Sequence, residues 1–235
     1  MEKEFNAAAR RLAIFLHHVE LLPAELDFVR HEFYVHLNRN WTEYVAAVKQ
    51  KPDLEYIAYA DGLAYVSRLH SVLYEFKAFL DIFARLVVRL VLPRPGPNGF
   101  NKGKVEGIEL SGGRLMNWLA EQQVQALPHR DALVASLVAA SHEWITEAVS
   151  LRDTLGHYRD VPGFSHMRIS VPRGPKNLKQ KDILPPEMPS GQDVTTYAVT
   201  LRDRLCNLVS ETLPLLPGVT PNLNETWQSA CRYLK

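Results

Sequence analysis

The 235-residue chain has few cysteines, almost no net charge and no long uninterrupted apolar segment. Its two cysteines, Cys206 and Cys231, do not make a disulfide framework, and no C-x-x-C pair indicates a zinc site. Low cysteine use favours a reducing compartment, so we expect a cytoplasmic protein. The formal net charge of +1 excludes a globally basic nucleic-acid coat, although it is compatible with a local basic patch.

Long apolar runs are also absent. The most hydrophobic stretch, residues 76–92, is interrupted by Lys77, Asp81, Arg85 and Arg89, which indicates a core helix rather than a membrane span. The charged start of the chain lacks the apolar run of a signal peptide. We therefore expect no membrane association.

Apolar residues recur at helical spacing in five long segments, so the sequence predicts an all-α protein. Proline is expected to end the first helix, and an aspartate is expected to cap the last one. The predicted long helices are residues 4–22, 24–51 with a break near Asn38–Asn40, 53–92 as one helix or two helical pieces, 131–152 and 193–213. Two shorter helices are predicted at residues 114–127 and 225–233.

Two long connections separate these helices. Residues 93–113 are rich in proline and glycine and have no apolar period. In the second connection, apolar and polar side chains alternate over residues 167–171, which predicts a short strand and a small β-hairpin. The predicted fold class is therefore an antiparallel helical bundle with a small irregular or β-hairpin insertion before the last long helix.

The helix order suggests three parts of the chain. Residues 1–52 are predicted to form N-terminal helices that pack on the bundle. Residues 53–213 are predicted to form the bundle itself, and residues 214–235 a C-terminal tail with a short helix.

One short segment combines an arginine and a histidine at the end of the 131–152 helix. Arg152 continues a predicted stripe of that helix, where a charge is costly unless it is paired or faces a cleft. The stripe consists of Val134, Val138, Ser141, Ile145 and Ala148. Gly156 weakens the helix just before His157 and Tyr158. A guanidinium can bind a phosphate and an imidazole can transfer a proton near neutral pH, so the pair suits phosphodiester chemistry.

The segment Arg152–Tyr158 resembles the R-x4–6-H motif of the HEPN superfamily, whose domains are helical bundles with the motif near the junction of their last two long helices. The order of helix, motif, loop and final long helix matches. The resemblance implies a metal-independent endoribonuclease without a cofactor, assembled at a dimer interface. Applied to this chain, the resemblance implies that His157 acts as general base or acid and that Arg152 holds the scissile phosphate. It also implies that Asp153 orients one of these two side chains.

Some HEPN domains are inactive, so the alternative is a non-catalytic dimerisation or nucleic-acid-binding module. An antitoxin-like protein is a further candidate partner. A purely structural interpretation is also open, since the helix dipole favours an arginine in a last turn. A helical nucleotide-binding protein that uses the basic residues after the motif is a weaker alternative.

Basic residues follow the motif and are candidates for phosphate contacts with RNA, with Tyr158 beside the motif. They also fit an ordinary solvated loop. The candidate RNA-binding residues are Tyr158, Arg159, Arg168, Arg173 and Lys176. We expect no metal site, since His31 and His36 are five residues apart rather than the four that would place both on one helical face.

A further charged stripe lies on the predicted third helix. Asp61, Arg68 and Glu75 recur every seven residues and therefore share one face. The stripe is expected to support Arg152 through a carboxylate or to form a solvated helix face.

Overall fold

The computed structural model describes residues 2–50, 56–58, 63–91, 95–121, 128–156, 166–169 and 179–219. These residues are mainly helical, which confirms the prediction of an all-α helical bundle with a small hairpin. The helices are α1 (Glu2–Arg39), α2 (Trp41–Gln50), α3 (Leu63–Val91), α4 (Gly113–Ala120), α5 (Arg130–Ala140), α6 (Thr146–Gly156) and α7 (Val194–Thr212). The strands are β1 (Tyr56–Ala58), β2 (Gly103–Val105), β3 (Ile108–Leu110), β4 (His166–Ile169) and β5 (Ile183–Leu184).

The core is built mainly where α1 packs along α3. Phe15 of α1 and Phe76 of α3 are fully buried and their ring centroids lie 6.1 Å apart. Burying a side chain of this size contributes about 1.5–3 kcal/mol relative to its exposure. The same core continues into α4, α5, α6 and α7. Residues of the predicted N-terminal part and of the predicted bundle thus share one core, and the proposed division of the chain stays a prediction.

Helix α1 continues through Pro23, so the predicted helix end at this residue is wrong. A proline inside a helix removes one backbone hydrogen bond and crowds the preceding turn, at a cost of about 3 kcal/mol. Val19 and Leu26 on either side of it are buried against the core, and their burial offsets this cost. The predicted break near Asn38–Asn40 is confirmed, because α1 ends and α2 begins there.

A three-stranded antiparallel sheet with the strand order β1-β4-β5 lies beside the helices. Tyr56 of β1 is opposite Arg168 of β4, and Ile169 of β4 is opposite Ile183 of β5. The predicted strand and hairpin before the last long helix are therefore confirmed. The helix predicted from residue 53 is wrong in its first part, because β1 occupies Tyr56–Ala58 and pairs with a strand far along the chain.

Residues 93–113 contain a second hairpin, β2–β3, that the sequence did not predict. Its tight turn places Glu106 and Gly107 at φ values of 51° and 86°, which is the backbone of a two-residue hairpin loop. Gly103 packs directly on α4, where an added Cβ would lie 2.6 Å from the backbone nitrogen of Arg114. The predicted helix at 114–127 corresponds to α4, and its residues 122–127 lie outside the described residues, as does the helix predicted at 225–233.

Asp193 caps α7 as predicted. Its Oδ1 accepts hydrogen bonds from the backbone nitrogens of Thr195 and Thr196 at 3.0 and 2.9 Å. A side-chain cap of this kind satisfies backbone donors that the first helical turn leaves unpaired and typically contributes about 1 kcal/mol.

The polar contacts between α1 and α3 form a network at the edge of the core. Arg11 Nη1 donates to both carboxylate oxygens of Glu75 at 2.8 Å. Arg68 Nε donates to Glu25 Oε1 at 2.9 Å, and Arg68 Nη1 lies 2.7 Å from His18 Nδ1. Because Arg68 is always a donor, His18 Nδ1 accepts this bond only while the imidazole is neutral.

The described part of the charged stripe, Arg68 and Glu75, therefore has neither predicted role. Arg68 and Glu75 bind residues of α1 and do not support Arg152. Both side chains are largely buried, at 25% and 18% exposure, so they do not form a solvated face. Asp61 lies outside the described residues.

The network predicts a pH-dependent stability. Burial, together with the nearby Arg68 guanidinium, lowers the pKa of His18 below its ordinary value of 6.5; His17 acts in the same direction, while Glu75 and Glu25 oppose it. The folded chain thus binds fewer protons at His18 than the unfolded chain does. We expect the free energy of unfolding to decrease as the pH falls below about 6.5.

Urea unfolding at about pH 7.5 and 5.5 measures this effect. In His18→Asn, the amide oxygen keeps an acceptor for Arg68 but does not titrate, so we expect a smaller loss of stability on acidification than in the wild type. His17→Asn, an exposed neighbour on the same helix, is the control and should retain most of the wild-type pH dependence, because burial and Arg68 lower the pKa of His18 more strongly than His17 does. Equal pH dependence in both variants would exclude His18 as the titrating group.

Candidate functional site

The helix that carries Arg152 is continuous from Arg130 to Gly156, with a π-helical segment at Ser141–Ile145 between α5 and α6. Buried apolar side chains hold it against the core on both sides of this segment. They are Leu133, Leu137, Ile145, Ala148, Leu151 and Leu155. The predicted stripe is confirmed at Ile145 and Ala148, whereas Val134 and Val138 are only partly buried.

Arg152 lies at the end of α6 and is held by two neighbours. Its Nη1 donates to Asp153 Oδ1 at 2.9 Å, and the two side chains are 33% and 35% exposed. Its guanidinium carbon also lies 4.6 Å from the ring centroid of Tyr74 on α3. A cation–π contact at a partly exposed site contributes about 0.5–1 kcal/mol. Arg152 is therefore positioned from two helices and remains accessible to solvent.

The hydrogen bonding of Arg152 is incomplete. Its Nε is buried and has no hydrogen-bond partner among the described residues, and Nη2 forms no hydrogen bond to them either. Nε–H and Nη2–H point to the same side of the planar guanidinium and together form one fork of donors. Asp153 binds Nη1, so this fork is left for another acceptor. Bidentate binding of phosphate uses such a fork.

The structure brings together two of the predicted site residues, Arg152 and Asp153. Arg168 lies in β4, the central strand of its sheet, where its backbone is paired with both neighbouring strands. The remaining predicted residues lie outside the described residues; these are His157, Tyr158, Arg159, Arg173 and Lys176. His157 follows Gly156, the last residue of α6, directly in the sequence.

Tyr74 is a site residue that the sequence interpretation missed. It is one of three large hydrophobic side chains that stand out as exposed among the described residues, at 41%. A single exposed aromatic on a helix is a weak sequence signal, since such residues are common on protein surfaces. Its importance becomes visible only when α3 and α6 are packed together.

Arg152, Asp153 and Tyr74 thus define a surface cluster on an α-helical bundle, and the Nε/Nη2 fork of Arg152 has no hydrogen-bond partner among the described residues. Searches against protein-family models, curated proteins and solved structures find no match to this chain. In the described part of the chain, no helix combines the length and apolar character that crossing a bilayer requires. An assignment of function therefore depends on the residues and contacts of the chain itself.

Proposed function

We propose that the protein is a HEPN-like, metal-independent endoribonuclease that acts as a cytoplasmic homodimer, with Arg152 and His157 at its site. The unpaired Nε/Nη2 fork of Arg152 carries this proposal. A buried arginine donor without a partner is unusual in a folded protein, because leaving it unpaired costs about 1–3 kcal/mol. A phosphate oxygen at this position would satisfy it.

Each site residue has a chemical task in this proposal. The ribose 2′ oxygen attacks phosphorus, the bond from phosphorus to the 5′ oxygen breaks, and a 2′,3′-cyclic phosphate forms. His157 removes the 2′ proton or protonates the leaving 5′ oxygen. Arg152 binds the phosphate and stabilises the charge that develops on it, while Asp153 fixes the guanidinium through Nη1.

The flanking residues bind the RNA strand. Arg159, Arg168, Arg173 and Lys176 contact backbone phosphates, which fixes the strand without selecting its sequence. In this proposal, Tyr158 packs or hydrogen-bonds beside Arg152 and His157.

A non-catalytic HEPN-like module for dimerisation or nucleic-acid binding is the second candidate. One observation favours it: Arg152 already has a carboxylate partner within its own subunit, Asp153. Such a pair can have a purely structural role. An antitoxin-like protein is a possible partner in either case.

RNA cleavage in EDTA tests the proposal. Purified protein is incubated with a structured RNA and with the same RNA carrying 2′-deoxy riboses. We expect cleavage of the first substrate alone and a loss of about 100-fold or more in His157→Ala, the usual contribution of a general acid or base. Binding of the same RNA is measured in parallel by fluorescence anisotropy.

The outcomes separate the two candidates. Cleavage of the 2′-deoxy substrate, or cleavage by His157→Ala at the wild-type rate, contradicts the ribonuclease proposal. Tight binding without cleavage supports the non-catalytic module.

A further inference from the structure

A groove lies between the β2–β3 hairpin and the outer face of α5, on a part of the molecule that the proposed ribonuclease site does not use. Its volume is about 590 Å³. Small-molecule sites typically measure 300–1,000 Å³ and are mainly apolar with a few polar groups. The apolar wall residues are Val105, Ile108, Leu110, Val134 and Val138. Ile108 is 52% exposed, so a large apolar surface faces the groove without cover.

Irregular backbone surrounds this groove. Within the described residues, the non-glycine residues with a positive φ are Glu106 at 51° and His129 at 62°. Glu106 lines the groove, and His129 directly precedes Arg130, which also lines it. The π-helical segment contributes His142 and Glu143. Strained residues and π segments are found preferentially at ligand sites, where function maintains an arrangement that folding alone disfavours.

Glu106 is an unexpected residue at its position. A two-residue hairpin loop favours asparagine, aspartate or glycine at its first central position, because these residues tolerate a positive φ. Glutamate has no such advantage there. The local backbone conformation therefore does not explain why a glutamate occupies this position. The residue lines the groove.

The charges at the rim of the groove are unbalanced. Arg130 donates through Nε to Asp131 Oδ1 at 2.8 Å, so these two charges compensate each other, while the buried Nη1 of Arg130 has no hydrogen-bond partner among the described residues. Glu106 and Glu143 form no ion pair with any described residue. Glu106 and Glu143 thus give the groove an excess of two negative charges over the Arg130–Asp131 pair, and this excess favours a cation over an anion.

We propose that this groove binds a small amphipathic cation, a molecule with an apolar body and one ammonium group. The apolar body packs on the Val105, Ile108 and Val138 side of the groove. The carboxylates of Glu106 and Glu143, which line the groove, attract the ammonium group. This site is independent of the ribonuclease activity proposed above.

Three probes with the same chain and different head groups test the proposal. Octylammonium, octanol and octanoate are titrated into the protein below their micelle concentrations, and heats of binding are recorded. We expect octylammonium to bind most tightly and octanoate most weakly. Weaker or absent binding of octylammonium relative to octanoate overturns the proposal.

Substitutions locate the site. Glu106→Gln and Glu143→Gln are each expected to weaken octylammonium binding about fivefold while octanol binding is unchanged, the size typical of an exposed charge pair. Glu109→Gln, an exposed glutamate of the same hairpin that does not line the groove, is the matched control. Ala135→Phe fills the groove from α5 and should abolish binding of all three probes.

All four substituted side chains are exposed, so the variants are expected to fold, and circular dichroism checks this. If Glu109→Gln weakens octylammonium binding as much as Glu106→Gln, the cation interacts with the general surface charge and the proposal is overturned. If Ala135→Phe binds the probes normally, their site lies elsewhere and the proposal is also overturned.

Discussion

Phe76→Ala is expected to lower the free energy of unfolding by about 3–5 kcal/mol, the usual loss when a buried phenylalanine is truncated. The side chain is fully buried, and its ring lies between Phe15 of α1 and Trp144 of the π-helical segment. The centroid distances are 6.1 and 5.9 Å. Removing the ring leaves a cavity where three helical segments meet, and aromatic pairing is lost on both sides.

Urea unfolding followed by circular dichroism measures this loss. Phe28→Ala is the matched control, because Phe28 is a phenylalanine of α1 that is 63% exposed. We expect the control to change stability by less than about 0.5 kcal/mol. A similar cost for the two variants would mean that α1, α3 and the π-helical segment do not meet at Phe76.

Arg152→Lys is expected to reduce metal-independent RNA cleavage about 100-fold. Lysine keeps the positive charge but lacks the planar fork of donors, so it cannot bind one phosphate through two parallel hydrogen bonds while also bonding Asp153. If Arg152 contributed only its positive charge, Arg152→Lys would retain most of the cleavage activity. Initial rates in EDTA with protein in excess over RNA measure the effect on the chemical step.

The chain contains a close control for this variant. Arg202 of α7 also donates to the aspartate that follows it, with Nε 2.9 Å from Asp203 Oδ1, and its side chain is 28% exposed. Arg202→Lys therefore changes the same local contact away from the motif and should keep the wild-type rate. Equal losses in the two variants, or none in Arg152→Lys, would remove Arg152 from the proposed site.

The parts of the fold that the sequence predicted correctly depend on local interactions. The cap of α7 is an example, because Asp193 and the two backbone nitrogens it accepts from lie within three residues. The break between α1 and α2 and the strand at β4 also follow from local composition. Local patterns are reliable where the nearest neighbours in sequence decide the structure.

The incorrect predictions concern residues whose structure depends on distant contacts. Pro23 lies inside α1 because its neighbours are buried against the core. Tyr56–Ala58 forms a strand because β4 supplies its hydrogen-bonding partners. Propensity opposes a helix at Pro23, whereas the apolar period indicated a helix at Tyr56–Ala58, and tertiary contacts decide the structure in both cases.

The candidate site likewise contains residues that local sequence predicted and a residue that depends on distant contacts. Arg152 and Asp153 were identified from the sequence because they are adjacent in a motif, and the structure places them in contact. Tyr74 is far from them in the sequence and joins the site only through the packing of α3 against α6. The groove beside α5 could not be predicted either, since its two carboxylates come from a hairpin turn and a π-helical segment.

The three-stranded sheet has a consequence for the order of folding. β1 and β4 pair although most of the helical bundle lies between them in the chain, so their contact requires closure of a very long loop. Helices and the local β2–β3 hairpin form from near neighbours and are expected to assemble first. The strand that carries Arg168 then joins a nearly complete bundle. Ribosomal synthesis must therefore pass β5 before this sheet is whole, and a chain stopped earlier has an unpaired strand edge that is prone to association.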